Sequence, residues 1–220
     1  CDPACGLGAG AGGELFFYAL RDMEAGEYVD YSYLGGHFAL HLAATRREQL
    51  LRTKLFECRC RRCLVPELPP QPPCGAGGCS GFLQRESGQS GPWRCSACSA
   101  EEPEDSQRLG RGARLEPMLA AKVATLEAKW HDPAKDVSKY ISDWELLAKS
   151  CGQALGERHH TFGRACFFAL QALNTGRSLN LGGVDVARHA AGLRQHGLPL
   201  ARYLRDCCPL GARRASLEPV

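Results

Sequence analysis

Thirteen cysteines in 220 residues, seven of them gathered into three tight groups, constrain this chain more than any other feature. The groups are Cys58, Cys60 and Cys63; Cys74 and Cys79; Cys95 and Cys98. Sulfurs separated by so few residues meet the spacing and dihedral of a disulfide with difficulty, whereas they converge readily on a metal ion. Thiolate metal sites are therefore expected in the front half, and with them an intracellular, reducing setting, nucleus or cytoplasm.

Cys74-x4-Cys79 and Cys95-x2-Cys98 leave 15 residues between them, close to the spacing of a two-knuckle ribbon that closes four thiolates around a structural Zn²⁺. Gly75, Gly77, Gly78 and Gly81 crowd the first pair, where tight turns are needed, and Phe82, Leu83 and Trp93 are expected to cover the flanks. The metal would fold about 25 residues that lack a core of their own. Cys58-x-Cys60-x2-Cys63 supplies only three thiolates, and Cys1 and Cys5 are the nearest candidates for a fourth.

The rest of the composition narrows the partners. A net charge of +3, from 27 Lys and Arg against 24 Asp and Glu, is too small to demand a polyanion, so nucleic acid is not an expected partner. The apolar fraction of 44% is that of an ordinary globular chain. With no apolar run long enough to span a bilayer, no membrane association is expected.

Periodicity predicts an α+β chain. Residues 1–13 read as a loop or hairpin tip, residues 14–20 as a buried strand, and Tyr28 to Tyr33 as a second, antiparallel strand. A helix is predicted from about Ala43, with Thr45 and Glu48 at capping-box spacing. Residues 66–73 hold five prolines and read as an extended connector, and residues 101–114 as a linker. From residue 115 to 220 the pattern is helical, with Leu119, Val123, Leu126 and Trp130 in one stripe and Val137, Ile141, Trp144, Leu147 and Ala148 in the next. Segments separated at Pro133, Gly156, Gly176 and Gly182-Gly183 suggest stacked antiparallel pairs of the tetratricopeptide kind.

Several motifs, taken in order, resemble a known family. Cys1-Asp2-Pro3, then Ala19 to Glu27 (ALRDMEAGE), then Tyr31-Ser32-Tyr33, then Thr45-Arg46-Arg47 and Leu55 to Cys63 (LFECRCRRC), are similar to the last part of a SET domain with its post-SET cysteines. The resemblance is to the SET-and-MYND-domain proteins, particularly their arthropod branch, in which a second Cys-rich unit follows. It implies four regions: the C-terminal SET segment with a post-SET zinc cluster (1–63), the Pro-rich connector and four-cysteine zinc ribbon (64–100), the linker (101–114) and a helical C-terminal domain (115–220). It also implies that Cys1 joins Cys58, Cys60 and Cys63 on zinc, making two structural Zn in all. The family's Asn-His-Ser before that cysteine, its cofactor loop and its MYND finger are not in this sequence. The chain is accordingly expected to be a C-terminal part of such an enzyme, inactive alone.

The implied activity is methyl transfer from S-adenosylmethionine to a histone or non-histone lysine. An in-line attack needs a neutral amine, although free lysine titrates near 10.4, so the site must exclude water and align the nitrogen. By resemblance Tyr33 is the active-site phenol, Tyr31 lines the lysine channel and Phe56 stacks on the adenine. The family often carries Asn where this chain has Ala4. The alternative is a non-catalytic, zinc-stabilised interaction or transcription-regulatory module whose helical domain binds partner peptides. Arg46, Arg47, Arg52, Lys54, Arg59, Arg61 and Arg62 read as a solvated basic face, and His159, His160 and Cys166 as helix surface and core.

Overall fold

The computed structural model describes residues 3–10, 12–35, 37, 40–64, 71–85, 91–129, 137–181 and 183–207. Helices and small antiparallel sheets make it an α+β protein with two compact units, one built on residues 1–67 and the other on residues 68–207. Cys1, Gly36, the connector from Val65 to Pro70, Trp130, Pro133, Gly182 and Cys208 lie outside the described residues, as does the side chain of Arg61.

The first unit opens with a hairpin of β1 (Cys5–Ala9) and β2 (Leu15–Ala19), in register from Cys5 opposite Ala19 to Ala9 opposite Leu15. Of the glycine-rich stretch expected as a loop or hairpin tip, Cys5–Ala9 is strand, and the tip follows it, where the Gly10 N–H donates to the Glu14 carbonyl at 2.8 Å. Gly6 and Gly8 face Tyr18 and Phe16, whose rings lie over them and would collide with any Cβ there. β2 is exposed at all five positions instead of buried, because a two-stranded ribbon has no second layer of its own. The expected strand at 28–33 is reduced to one parallel bridge, Tyr31 to Cys5, with the Cys5 N–H donating to the Asp30 carbonyl at 2.9 Å.

α1 (Ala43–Lys54) starts at Leu42 without a side-chain cap, so Thr45 and Glu48 sit inside the helix instead of forming the expected box. It buries Ala43, Arg46 and Leu50. Leu55 closes it in the left-handed region, φ +60°, its N–H donating to the Leu51 carbonyl, and turns the chain into the first cysteine group and the short helix α2 (Arg61–Leu64). Arg46 corrects the basic-face expectation: only 1% exposed, it donates to the carbonyls of His41 and Arg62 and so ties α1 to α2.

The second unit begins with a three-stranded sheet in the order β3 (Leu83–Gln84), β4 (Trp93–Cys95), β5 (Glu101–Glu102). The expected linker is therefore partly strand. The remainder of it starts α3 (Gln107–Ala128), whose N-cap Ser106 accepts the Leu109 N–H at 3.2 Å. α4 (Val137–Leu155) and α5 (His160–Ser178) follow, and α6 (Val186–Gly192) passes through one π turn (Leu193–Gly197) into α7 (Leu198–Cys207).

These helices are antiparallel neighbours. Gly112 approaches the Ala154 carbonyl while Tyr140 donates to the Leu126 carbonyl; Gly152 abuts Phe162 while Gly176 abuts Ile141; Gly163 abuts Tyr203 while His189 meets Asn174. Gly176 lies inside α5, where the absent side chain admits Ile141 and Val184, and is not the break that its identity suggested. Gly156, at φ +90°, is one. Trp144 and Phe168 stack at 4.9 Å in a core with Val123, Ile141, Ala165 and Leu173, each fully buried.

Candidate metal centre

Sequence spacing brings the ribbon cysteines to one point. The Sγ atoms of Cys74, Cys79, Cys95 and Cys98 all lie within 4.8 Å of one another, with Cys74 to Cys98 at 3.7 Å and Cys79 to Cys95 at 3.6 Å. Sulfurs placed at about 2.3 Å from a shared tetrahedral Zn²⁺ would stand about 3.8 Å apart, whereas a disulfide brings them to about 2.05 Å. The four residues therefore fit a zinc ion and not a pair of disulfides.

Local backbone builds this. Each knuckle turns an N–H back on the sulfur two residues earlier: Ala76 to Cys74 at 3.4 Å, Gly81 to Cys79 at 3.3 Å, Ala97 to Cys95 at 3.4 Å. The knuckles are locked by Cys74 N–H to the Gly81 carbonyl and Cys95 N–H to the Ala100 carbonyl, both 2.9 Å. Gly78 and Ser99 take positive φ at the two turns. A Cβ on Gly81 would lie 2.5 Å from Cys95 Sγ and 2.8 Å from Ala97 Cβ. Of the expected flank residues, Leu83 is buried, Phe82 lies under the Arg158 guanidinium at 4.1 Å, and Trp93 lies under Arg85 at 5.2 Å.

The electrostatics point the same way. N–H groups of Cys98 and Ala97 aimed at Cys95 bring its thiol down to about 6. The Ala76 N–H favours the Cys74 thiolate too, but desolvation and hydrogen bonds shared with Cys95, Cys98 and Cys79 outweigh it and push that thiol up to about 12. Without a cation, neighbouring sulfurs compete for one negative charge, and a divalent ion lets all four ionise together.

The second group, Cys58, Cys60 and Cys63, also holds its sulfurs within 4.8 Å. Cys58 and Cys63 are buried against Leu50 and Leu34, and the Cys63 N–H donates to the Cys60 carbonyl at 2.8 Å. Burial, then the negative charges of Cys60 and Cys58, push the Cys63 thiol up to about 11 against the pull of Arg46. Three sulfurs leave one position of a tetrahedron. Cys5, one candidate for it, is turned instead toward Met23, Sγ to Sδ 3.5 Å, and Cys1 lies outside the described residues.

Tyr31, Tyr33 and Phe56 come together although no strand presents them. Their rings form a file, Phe17 to Tyr31 at 5.4 Å, Tyr31 to Tyr33 at 4.7 Å, Tyr33 to Phe56 at 5.7 Å, that ends two residues before Cys58. Tyr33 is 51% and Phe56 38% exposed. The hydrogen bond with Tyr33 raises the Tyr31 phenol above its usual range. Sequence reasoning did not single out Phe17 within the apolar run of β2, and it placed Arg46 on a solvated face although that residue shares the buried 43, 46, 50 stripe of α1. Comparison with protein-family models and with curated proteins finds no match.

Proposed function

We propose that this chain is the zinc-braced C-terminal part of an S-adenosylmethionine-dependent protein-lysine N-methyltransferase, with two structural Zn²⁺ and a histone or other protein lysine as substrate. The observation that supports it is the aromatic file: the three residues named for lysine and cofactor contact touch in sequence, and Phe56 leads straight into the Cys58–Cys63 triad. A metal on that triad, with Cys1 as fourth ligand, would fix the position of Phe56, whose exposed ring face suits stacking on an adenine. S-adenosylmethionine supplies an electrophilic methyl on a sulfonium. The Tyr33 phenol orients the incoming amine by a hydrogen bond, and Tyr31, its ring packed on Tyr33 at 4.7 Å, holds that side chain in place. Phe56 would hold the adenine, and the bound cofactor would supply its methyl to the neutral amine that Tyr33 orients, the cofactor's sulfur keeping the C–S electron pair and the product's extra proton passing to water.

Two measurements test this. Metal analysis of chain purified with zinc should give two ions per molecule; one or none removes a cluster from the account. In the whole protein, Tyr33→Phe should lower methyl transfer to a lysine peptide by about tenfold or more with zinc content unchanged, and equal turnover would remove Tyr33 from the reaction.

A second reading, a non-catalytic zinc-stabilised interaction or transcription-regulatory module, is favoured by Ala4. It is buried, its N–H donates to the Asp30 carboxylate at 2.7 Å, and it offers no polar side chain where the resemblance places one. Failure of the whole protein to bind S-adenosylmethionine, with both zinc ions in place, would select it.

A further inference from the structure

α3 turns its acids inward and its bases outward. Glu116 is taken by His159 at 3.2 Å and Glu127 by Arg164, whereas Arg111, Arg114, Lys122 and Lys129 are exposed and, among the described residues, have no carboxylate partner. At 3.6 residues per turn these four bases share an arc of about 80° over about 27 Å of helix. Beside them runs a groove of about 370 Å³, with Leu119, Lys122 and Leu126 on its α3 wall and Leu146, Leu147 and Ser150 on its α4 wall. Leu146 stands 65% exposed on the α4 wall, as does Met118, at 58%, on the basic arc of α3. The carboxylate that reaches the groove, Asp143, is held by Lys139 at 3.1 Å.

An apolar cleft between two long antiparallel helices accepts the ridge of a third helix. The row of unneutralised bases along one wall selects the charge of that helix and fixes which way its flank faces. We propose that this groove docks an acidic amphipathic helix of another protein, about 18 residues long, its leucine-type stripe on Leu119, Leu126 and Leu146 and its carboxylates along Arg111, Lys122 and Lys129. The inference uses the second unit alone and stands whichever reading of the first unit holds.

The test uses the full chain with zinc and a fluorescein-labelled synthetic helix of about 18 residues, leucines at every third and fourth position and glutamates on one flank, followed by anisotropy. Saturable binding is expected, weakening as salt rises from about 50 to about 500 mM. Lys122→Glu and Leu146→Glu should each weaken it by about tenfold or more while leaving the far-ultraviolet spectrum unchanged. A counterpart helix with lysine for glutamate should bind at least about tenfold more weakly. Equal binding of the lysine helix, indifference to both substitutions, or no binding at about 1 mM overturns the proposal. So does self-association in sedimentation that Leu146→Glu abolishes, which would assign the groove to a second copy. Binding to phosphatidylserine vesicles, lost in the same variants and without peptide binding, would assign it to a lipid surface.

Discussion

At Gly81 the ribbon has no room for a side chain, because the space a Cβ would fill is occupied by the Cys95 sulfur and the Ala97 methyl. Gly77, in the same knuckle, has nothing within 4 Å of that point. The pair separates close approach from mere turn preference. Gly81→Ala should displace Cys95 from its partners and lose the ribbon's zinc, whereas Gly77→Ala should retain it; a chelator-dye titration of released zinc reads both. Equal retention would mean that the sulfurs settle around the metal without the tight approach seen here. Composition announced the crowding of glycines, but no spacing rule tells which of four must lack a side chain, since that depends on what the opposite knuckle brings across.

Elements were legible where they carry their own periodic signal. α4, with Ile141, Trp144, Leu147 and Ala148 buried as its spacing foretold, is one, and the two ribbon knuckles are another. They were illegible where tertiary contacts decide. Glycines at 6 and 8 form a strand because aromatic rings across the hairpin cover them, and the acidic residues at 101 and 102 pair with β4, Arg94 meeting Glu101 at 2.8 Å. Ser106 is a cap hidden in what read as a linker. Ser106→Ala leaves the Leu109 N–H without its acceptor and should cost about 1 kcal/mol, seen as a lower urea midpoint. The helices also carry two buried histidines. Burial, offset in part by Glu116, holds His159 below the usual range, and burial against the pull of Glu145 does the same for His196. The unfolded chain takes up protons near pH 6.5 that the folded helices refuse, so stability should fall as pH drops through and below that value. His159→Asn keeps a capping acceptor for Thr161 but cannot titrate, and should flatten part of the slope in urea titrations between about pH 7.5 and about pH 5. A slope unchanged in the variant would place the acid sensitivity elsewhere.

On the scale of the second unit, the ribbon is bonded into the helices and not strung beside them. Arg108 of α3 donates to the Pro73 carbonyl and pairs with Glu102 at 3.1 Å. At Gly156, between α4 and α5, the Gln71 carbonyl and the Pro73 ring come within 3.1 Å of where a Cβ would stand. Arg158 covers the Phe82 ring and reaches Asp206 of α7 at 3.6 Å. Pro73 immediately precedes Cys74, so the knuckle that would grip metal is also the surface that grips α3 and the α4–α5 turn. Stripping zinc under reducing conditions frees the knuckle and removes the rigid partner of all three contacts. The helical far-ultraviolet signal should then melt lower by about 3 °C or more, the shift expected of about 1 kcal/mol in a unit of this size. Arg108→Ala should keep the metal yet shrink the response to chelator, because one of the links is already cut. If zinc left the protein and the helices melted at an unchanged temperature, the ribbon would be an independent bead, and Arg108, Gly156 and Arg158 would carry no coupling between the metal and the helices.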